Sequence, residues 1–340
     1  MSNSLLTLND DMMKNFYKGK KVLITGGLGF LGSNLAHQLV KFGAKVTLLD
    51  CLLKSHGGNP FNIHGIKKEV EWVKGDIRNF SLVQKLIKGK ELLFNIAAQT
   101  SHTDSIVHPF LDVEINTKGQ INILESAKAH NPFLKIVYCS TRAVYGVSKK
   151  KVLDEEILPN PMDIYSADKL AGENYHRIYA KVFGLDTIIL RCANGYGPRA
   201  QMLQPSFGIL NWFIRLALDN QEIKIFGDGK QVRDYVYVSD IAQAFLNAGK
   251  VKQGEGNIYN VGCGKGIPLI EIVKKIVQIA GSGKIVYVPW PETNKKIDVG
   301  DFTANIDKIK KEIGWRARVP LEEGLSQTIQ FYKENKKYYW

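Results

Sequence analysis

Lys21-Val22-Leu23-Ile24-Thr25-Gly26-Gly27-Leu28-Gly29-Phe30-Leu31-Gly32 is the stretch on which the fold turns. Val22–Thr25 reads as a buried strand and runs straight into glycines at 26, 29 and 32. In that GxxGxxG spacing Gly26 permits a tight strand-to-helix turn, Gly29 lets the backbone approach a pyrophosphate, and Gly32 lets the next helix lie close to the sheet. Phe30 and Leu31 lie in the loop that leads into that helix and are expected beside the cofactor, where the helix's free N–H groups and partial positive charge face the phosphates. A glycine cluster alone is often only a turn, so the context decides. An amphipathic helix, Gly32–Phe42, follows, and then a strand, Val46–Asp50, that ends in an acid. Asp50 lies eighteen residues beyond Gly32, where a carboxylate accepts hydrogen bonds from ribose hydroxyls and repels a 2′-phosphate. The pattern predicts NAD rather than NADP, with nearby Lys54 as the counter-signal and a solvated turn acid as the alternative.

Outward from this unit the same rhythm recurs. Val70–Gly75, Leu92–Asn95, Ile136–Ser140 and Thr187–Arg191 read as strands, and Phe80–Ile87, Asn116–Ala129 and Ser166–Phe183 as helices between them. Such alternation predicts an α/β fold, a Rossmann-type doubly wound parallel sheet covered on both faces. After Arg191 prolines and glycines break the chain into shorter pieces, with helical patterns at Phe207–Leu218, Asp240–Ala248 and Leu269–Ala280. Gly256–Val261 reads as one more strand returning to the main sheet. The expected organisation is a mobile or helical extension over 1–18, a cofactor domain over 19–191 completed by segments near 235–262, and a smaller mixed α/β substrate lobe mainly from 192–340.

Composition narrows the function classes. The 340 residues are 44% hydrophobic and 23% charged, enough for a core that needs no disulfide or metal. Cys51, Cys139, Cys192 and Cys263 are far apart with no CxxC, which predicts reduced, mostly buried thiols, no metal site and a cytoplasmic protein. No run of about 18 apolar residues predicts a membrane span, and the first residues lack the apolar stretch of a signal peptide. The formal charge of +13 raises the question of nucleic acid. Its lysines are scattered in short runs such as Lys149–Lys151, Lys308–Lys311 and Lys336–Lys337 rather than clustered on one element, which predicts solvated helix faces and no nucleic-acid partner.

Tyr165-Ser166-Ala167-Asp168-Lys169 places a phenol and an ammonium one helical turn apart. A lone YxxxK is common, but this one opens a long helix after Pro159-Asn160-Pro161. Upstream, Cys139-Ser140-Thr141-Arg142-Ala143-Val144-Tyr145-Gly146 leaves Thr141 at the C-terminal edge of a strand, where doubly wound folds bind ligands. A nearby ammonium favours the phenolate, and a hydroxyl neighbour shares the proton. The three groups can take the proton of a sugar alcohol while hydride leaves its carbon.

These motifs resemble the extended short-chain dehydrogenase/reductases, especially the nucleotide-sugar epimerases and dehydratases, from about Lys20 to Tyr332. Thr25–Gly32 is similar to that family's TGGxGFxG loop, and Gly75-Asp76-Ile77-Arg78 to its GDIRD segment, which implies that Asp76 and Ile77 meet adenine. Asn95-Ile96-Ala97-Ala98-Gln99 resembles HxAAQ except at its first residue, which implies that Ala97, Ala98 and Gln99 flank the cofactor. Glu114–Gly119 resembles the VNxxGT helix start and adds Asn116. Thr141, Tyr165 and Lys169 fall on the catalytic Ser/Thr, Tyr and Lys. Arg191–Arg199 is similar to RxxNxYGPR and Phe226–Val238 to FGDGxQxRDFVYV, which implies substrate-diphosphate roles for Asn194 and Arg233, with Arg199 a further candidate. A surface ion pair with a neighbouring aspartate is the alternative for Arg233. The resemblance also implies a homodimer through helices near Ile106–Ala129 and Ser166–Phe183.

Within such a family the residues after the catalytic hydroxyl steer the chemistry. The dehydratases carry Asp-Glu there, the decarboxylases a Glu and the 3,5-epimerases a Cys. Arg142 and Ala143 occupy those positions here. What remains is 4-epimerisation of a nucleotide sugar, UDP-linked for preference, with a C2 epimerase of CDP-sugar type or another nucleotide-sugar dehydratase or reductase of the same family as the alternatives and a non-catalytic NAD-binding scaffold as the reading from another class. Arg142 departs from the small residues of 4-epimerases and is expected to contact an unusual sugar. His102 is expected to be a packing or loop residue. Gly57–Asn62 is expected to be a surface turn near the adenosine.

Overall fold

The computed structural model describes residues 2–54 and 56–340, the backbone alone at residues 2–9, 207 and 293. Its strands are β1 (Lys21–Thr25), β2 (Lys45–Asp50), β3 (Val70–Lys74), β4 (Leu92–Asn95), β5 (Lys135–Thr141), β6 (Val152–Leu153), β7 (Asp186–Cys192), β8 (Asn194–Tyr196), β9 (Glu222–Phe226), β10 (Val232–Tyr237), β11 (Asn257–Val261), β12 (Gly266–Pro268), β13 (Lys284–Val288) and β14 (Thr303–Ala304). Seven of them form one parallel sheet in the order β11-β7-β5-β4-β1-β2-β3. The order reverses between β1 and β4, and that switch point sets the ligand crevice beyond the strands' carboxyl ends.

Both faces of the central strands β1, β2, β4, β5 and β7 are buried, so these read as apolar runs rather than alternating ones, while edge strand β3 leaves Glu71 and Lys74 exposed. Val22 and Ile24 of β1 face one core with Leu35 and Leu39 of α2 (Phe30–Lys41). Leu23 faces the other core with Val83 and Ile87. Helix α1 (Ser2–Tyr17) precedes β1 and is anchored: Met13 and Tyr17 are buried, and the Tyr17 hydroxyl donates to the Leu246 carbonyl at 2.7 Å. The extension is therefore helical and docked.

Further along come α3 (Phe80–Ile87), α4 (His102–Val107), α5 (Pro109–Val113), α6 (Gly119–His130), α7 (Ile164–Phe183), α8 (Ile209–Leu218), α9 (Val238–Lys250) and α10 (Leu269–Ala280). The helix expected over Asn116–Ala129 is preceded by a π-turn, Glu114–Lys118, which places Asn116 on an irregular backbone. The one expected over Phe207–Leu218 starts only at Ile209, because Gly208 adopts φ 128°.

Strand β11 does return to the main sheet, beside β7. A second core, with Leu210, Phe213, Ile272 and Tyr332, belongs to the carboxyl half. Phe302, Ala304, Ile309 and Trp315, however, join the first core. Gly57–Asn62 is no surface turn. Asn59 caps a 3₁₀ helix, Pro60–Ile66, and the buried Asn62 amide donates to the carbonyls of Leu28 and Arg199 while accepting from the Tyr339 hydroxyl. This segment ties the glycine loop to the chain's last residues. Among the described residues no helix is long and apolar enough to cross a membrane.

Candidate active site

A cleft of about 510 Å³ opens over the switch point. Its lower wall is the glycine loop, and the space there depends on missing side chains. A Cβ on Gly32 would meet the Gly26 carbonyl oxygen at 2.2 Å, and one on Gly26 the Ala97 backbone at 3.0 Å. Gly26 also has φ 69°. Helix α2 starts on Gly29 with no side-chain cap, leaving its first N–H groups for a ligand. Phe30, Leu31, Asp50, Asp76, Ile77, Ala97 and Ala98 line the same cleft, so a glycine cradle, a helix N-terminus and a strand-end acid fit a dinucleotide. The Asp50 carboxylate already accepts from the N–H groups of Leu28 (3.0 Å) and Leu52 (2.9 Å), which fixes its rotamer toward the cleft.

Thr141, Tyr165 and Lys169 share the upper wall. Thr141 ends β5, and its Oγ1 accepts from the Ala143 N–H at 3.2 Å, which fixes the hydroxyl at the sheet edge. Tyr165 and Lys169 sit in the first turns of α7, capped by Asp163, whose Oδ1 accepts from the Ser166 N–H at 2.7 Å in a capping box. The Lys169 ammonium lies 4.2 Å from the centroid of the Tyr138 ring. That ring fits under α7 because Gly172 has no Cβ. Burial, above all, raises the Tyr165 phenol, while a hydrogen bond with Thr141 works the other way. Burial likewise lowers the Lys169 ammonium.

His102, expected as a packing or loop residue, lines this cleft. Its Nδ1 bonds the buried Asp163 Oδ2 at 2.5 Å, and its ring stands edge-on to Tyr165 with centroids 5.0 Å apart. With Nδ1 taken, the second ring nitrogen is the one left for a ligand. Cys139 and Cys192, expected in the core, also reach the cleft wall, because their strands end at the open edge of the sheet.

Gln99 and Asn116 do not line the cleft. Both are buried struts around Asp112: the Gln99 amide donates to Asp112 at 2.8 Å, and the Asn116 amide donates to Asp112 at 2.8 Å and to the Gln99 carbonyl at 2.9 Å. Asp112 in turn bonds Asp168 on α7. Two carboxyls in contact away from water share a proton, and burial first, then Asp112, push Asp168 up to about 7. Between about pH 4 and 7 the folded chain therefore holds a proton that the unfolded chain has lost, so stability falls as pH rises through this window. Asp168→Asn is expected to raise stability at pH 8 by roughly 2 kcal/mol and to flatten the decline in thermal midpoint from pH 5.5 to 8. A wild-type decline retained in the variant would count against the shared proton.

Of the five residues assigned to substrate, Thr141 is on the cleft wall already described, and the other four divide in two. Arg142 and Asn194 line the cleft and are bonded to each other, Nε to Oδ1, at 2.8 Å. Arg199 turns away: its backbone takes φ 71°, its Nη1 donates to Asn34 at 2.8 Å, and its guanidinium lies 5.6 Å from the centroid of the Phe331 ring. Arg233 is buried behind the wall, where it pairs with Asp298 at 2.5 Å and donates to the carbonyls of Val232 and Gly300. Its aspartate partner is Asp298, sixty-five positions on, and the pair is part-buried, with the Arg233 side chain 10% and the Asp298 side chain 28% exposed.

Comparison with known proteins gives this geometry its context. The model of a family described as "NAD dependent epimerase/dehydratase family" matches residues 22–262. The chain is similar to the UDP-glucose 4-epimerase of Mycolicibacterium smegmatis, at 33% identity over 92% of this chain and 98% of the relative. It is likewise similar to the CDP-paratose 2-epimerase of Salmonella typhi, at 32% identity over 92% and 98%. Among solved structures, the UDP-glucose 4-epimerase of Thermotoga maritima with UDP-glucose superposes with a TM-score of 0.85 at 30% identity, over 93% of this chain and 99% of that one. The glycine cradle at the switch point and the Thr–Tyr–Lys wall above it thus lie in a chain similar to these enzymes over nearly its whole length, and the protein belongs to the NAD-dependent epimerase/dehydratase family.

Proposed function

We propose that the protein inverts C4 of a nucleotide-linked hexose, a UDP-sugar for preference, through a transient 4-keto sugar. The observation that carries this reading is the composition of the wall beside Thr141. Eliminating water needs an acid there, but the next positions hold a guanidinium, Arg142, and the buried methyl of Ala143. Oxidation and return at one carbon need only the hydroxyl, the phenol and the ammonium.

In this mechanism Tyr165 takes the proton of the C4 hydroxyl as the carbon is oxidised and returns it once the ketone has turned over. Thr141 shares that proton, and the Lys169 charge stabilises the phenolate against the burial that opposes it. NAD, when bound, supplies the hydride acceptor and donor. Asp50, the glycine loop and the start of α2 would hold its ribose and phosphates; Asp76 and Ile77 would meet its adenine. Asn194 on the cleft wall is placed for the substrate.

The CDP-paratose 2-epimerase likeness favours a second reading, the same cycle at C2 of a CDP-sugar. Incubation with UDP-, CDP-, GDP- and dTDP-glucose separates them. The expected product keeps the substrate's mass and shows proton couplings inverted at C4. Inversion at C2 would transfer the assignment to the second reading, and loss of water would overturn both. The same proposal includes a homodimer, since Val107, Phe110 and Val182 of α4, α5 and α7 expose apolar surface, and a solution mass of two chains is expected.

A further inference from the structure

Arg142 is only partly satisfied. Its Nε bonds Asn194, and its guanidinium lies 5.4 Å from the centroid of the Phe302 ring. Nη1 is buried with no hydrogen-bond partner, and no carboxylate lies within ion-pair distance of Arg142 among the described residues. Asp298, a carboxylate whose charge bears on Arg142, is committed to Arg233. A second orphan accompanies it. Tyr235 lines the same cleft, and its buried hydroxyl also lacks a partner. Register places the two together, because Tyr235 on β10 pairs with Asn194 on β8, the residue that grips Arg142.

A buried guanidinium edge and a buried phenol O–H, both donors and both unpaired, are costly unless an anion completes them. Burial and the second guanidinium of Arg233 push Arg142 down to about 9, the direction expected of a cation that lacks its counter-charge. The location selects the anion's source. Arg142 follows Thr141 directly in sequence, in the turn that Thr141 caps, and lines the same cleft as Tyr165, which ties the orphaned edge to the sugar end of the cleft.

We propose that Arg142 and Tyr235 form a carboxylate-binding subsite, so that the preferred substrate is a nucleoside-diphosphate uronic acid rather than a neutral hexose. A planar carboxylate suits the guanidinium's paired N–H edge, with the Tyr235 O–H as an additional donor. The inference rests on the epimerase reading for its substrate class and adds the sugar's charge.

Equilibrium titration of the NAD-loaded enzyme with UDP, UDP-glucose and UDP-glucuronate tests it. The wild type is expected to bind UDP-glucuronate about 30-fold or more tighter than UDP-glucose, a charge-assisted bidentate preference. Arg142→Met is expected to abolish that ratio, and Tyr235→Phe, which keeps the ring, to reduce it about tenfold. Equal affinity of the wild type for the two sugars would overturn the subsite. So would a loss in Arg142→Met that is the same for UDP alone as for both sugars, since the guanidinium would then serve the diphosphate. Turnover on the same samples keeps the two proposals apart. A uronate preference without C4 inversion removes the epimerase reading and leaves the subsite; C4 inversion without that preference does the reverse.

Discussion

Tyr165→Phe is expected to lower turnover by about 10²–10⁴-fold, the usual loss when a positioned acid–base group is removed. The substitution deletes one oxygen. The ring, its edge contact with His102 and the capped start of α7 remain, so the fold and the cofactor site should survive. Thr141 cannot take over. Its hydroxyl is far less acidic than a phenol and is fixed at the sheet edge by the Ala143 N–H. His102, held at Nδ1 by Asp163 and edge-on to the Tyr165 ring, is the neighbouring imidazole to test as a substitute. A residual rate in Tyr165→Phe that disappears in the double variant with His102→Ala would identify it as the substitute base. The checks are steady-state turnover and the amount of NAD released when the purified variant is denatured. Undiminished turnover with full NAD content would sink the assignment of Tyr165 as base.

The parts of this site visible in the sequence are those built by short spacing. The loop from Gly26 to Gly32, Asp50 at the end of the next strand, and Tyr165 with Lys169 one turn apart each depend on neighbours within a single strand–helix unit. The same is true of the seven strands of the main sheet, whose runs lie within a residue or two of the observed ones, while the short strands of the carboxyl half went unread. What escaped depends on contacts across the fold. His102 acquires its role only from Asp163, sixty-one positions away. Asp112 and Asp168 become a proton-sharing pair only because α5 packs against α7. Arg199 sits in a motif segment, yet a backbone with φ 71° directs it to Asn34 instead of the cleft. The charge excess of +13 also looks different in three dimensions. Arg191 is neutralised inside the fold by Glu173 and Arg233 by the partly exposed Asp298, while Arg142, without an acid partner among the described residues, faces the cleft.

The Arg191–Glu173 pair carries the largest expected effect on stability. Glu173 lies on α7 one turn beyond Lys169 and two beyond Tyr165, so all three point to the ends of β5 and β7. Its carboxylate accepts from Arg191 Nε at 2.9 Å and Nη2 at 2.7 Å, and from the Ser140 hydroxyl at 2.5 Å. Both members are almost fully buried, and the Arg191 guanidinium stacks 4.7 Å from the centroid of the Tyr145 ring. Glu173→Gln keeps the shape but leaves a buried guanidinium without its counter-charge. Such a break costs about 3–5 kcal/mol, far above the ~1 kcal/mol of an exposed pair. Denaturant unfolding should show that loss as a lower midpoint. If the pair acts only through charge balance, the double variant Glu173→Leu with Arg191→Met should recover most of the stability, because two apolar side chains replace two desolvated ions. Its turnover then becomes informative. The tie from α7 to Ser140 would be gone while the fold persists, so a lowered kcat with unchanged stability would show that this pair positions Tyr165 and Lys169 against Thr141. Full turnover in the double variant would confine the pair to a structural role.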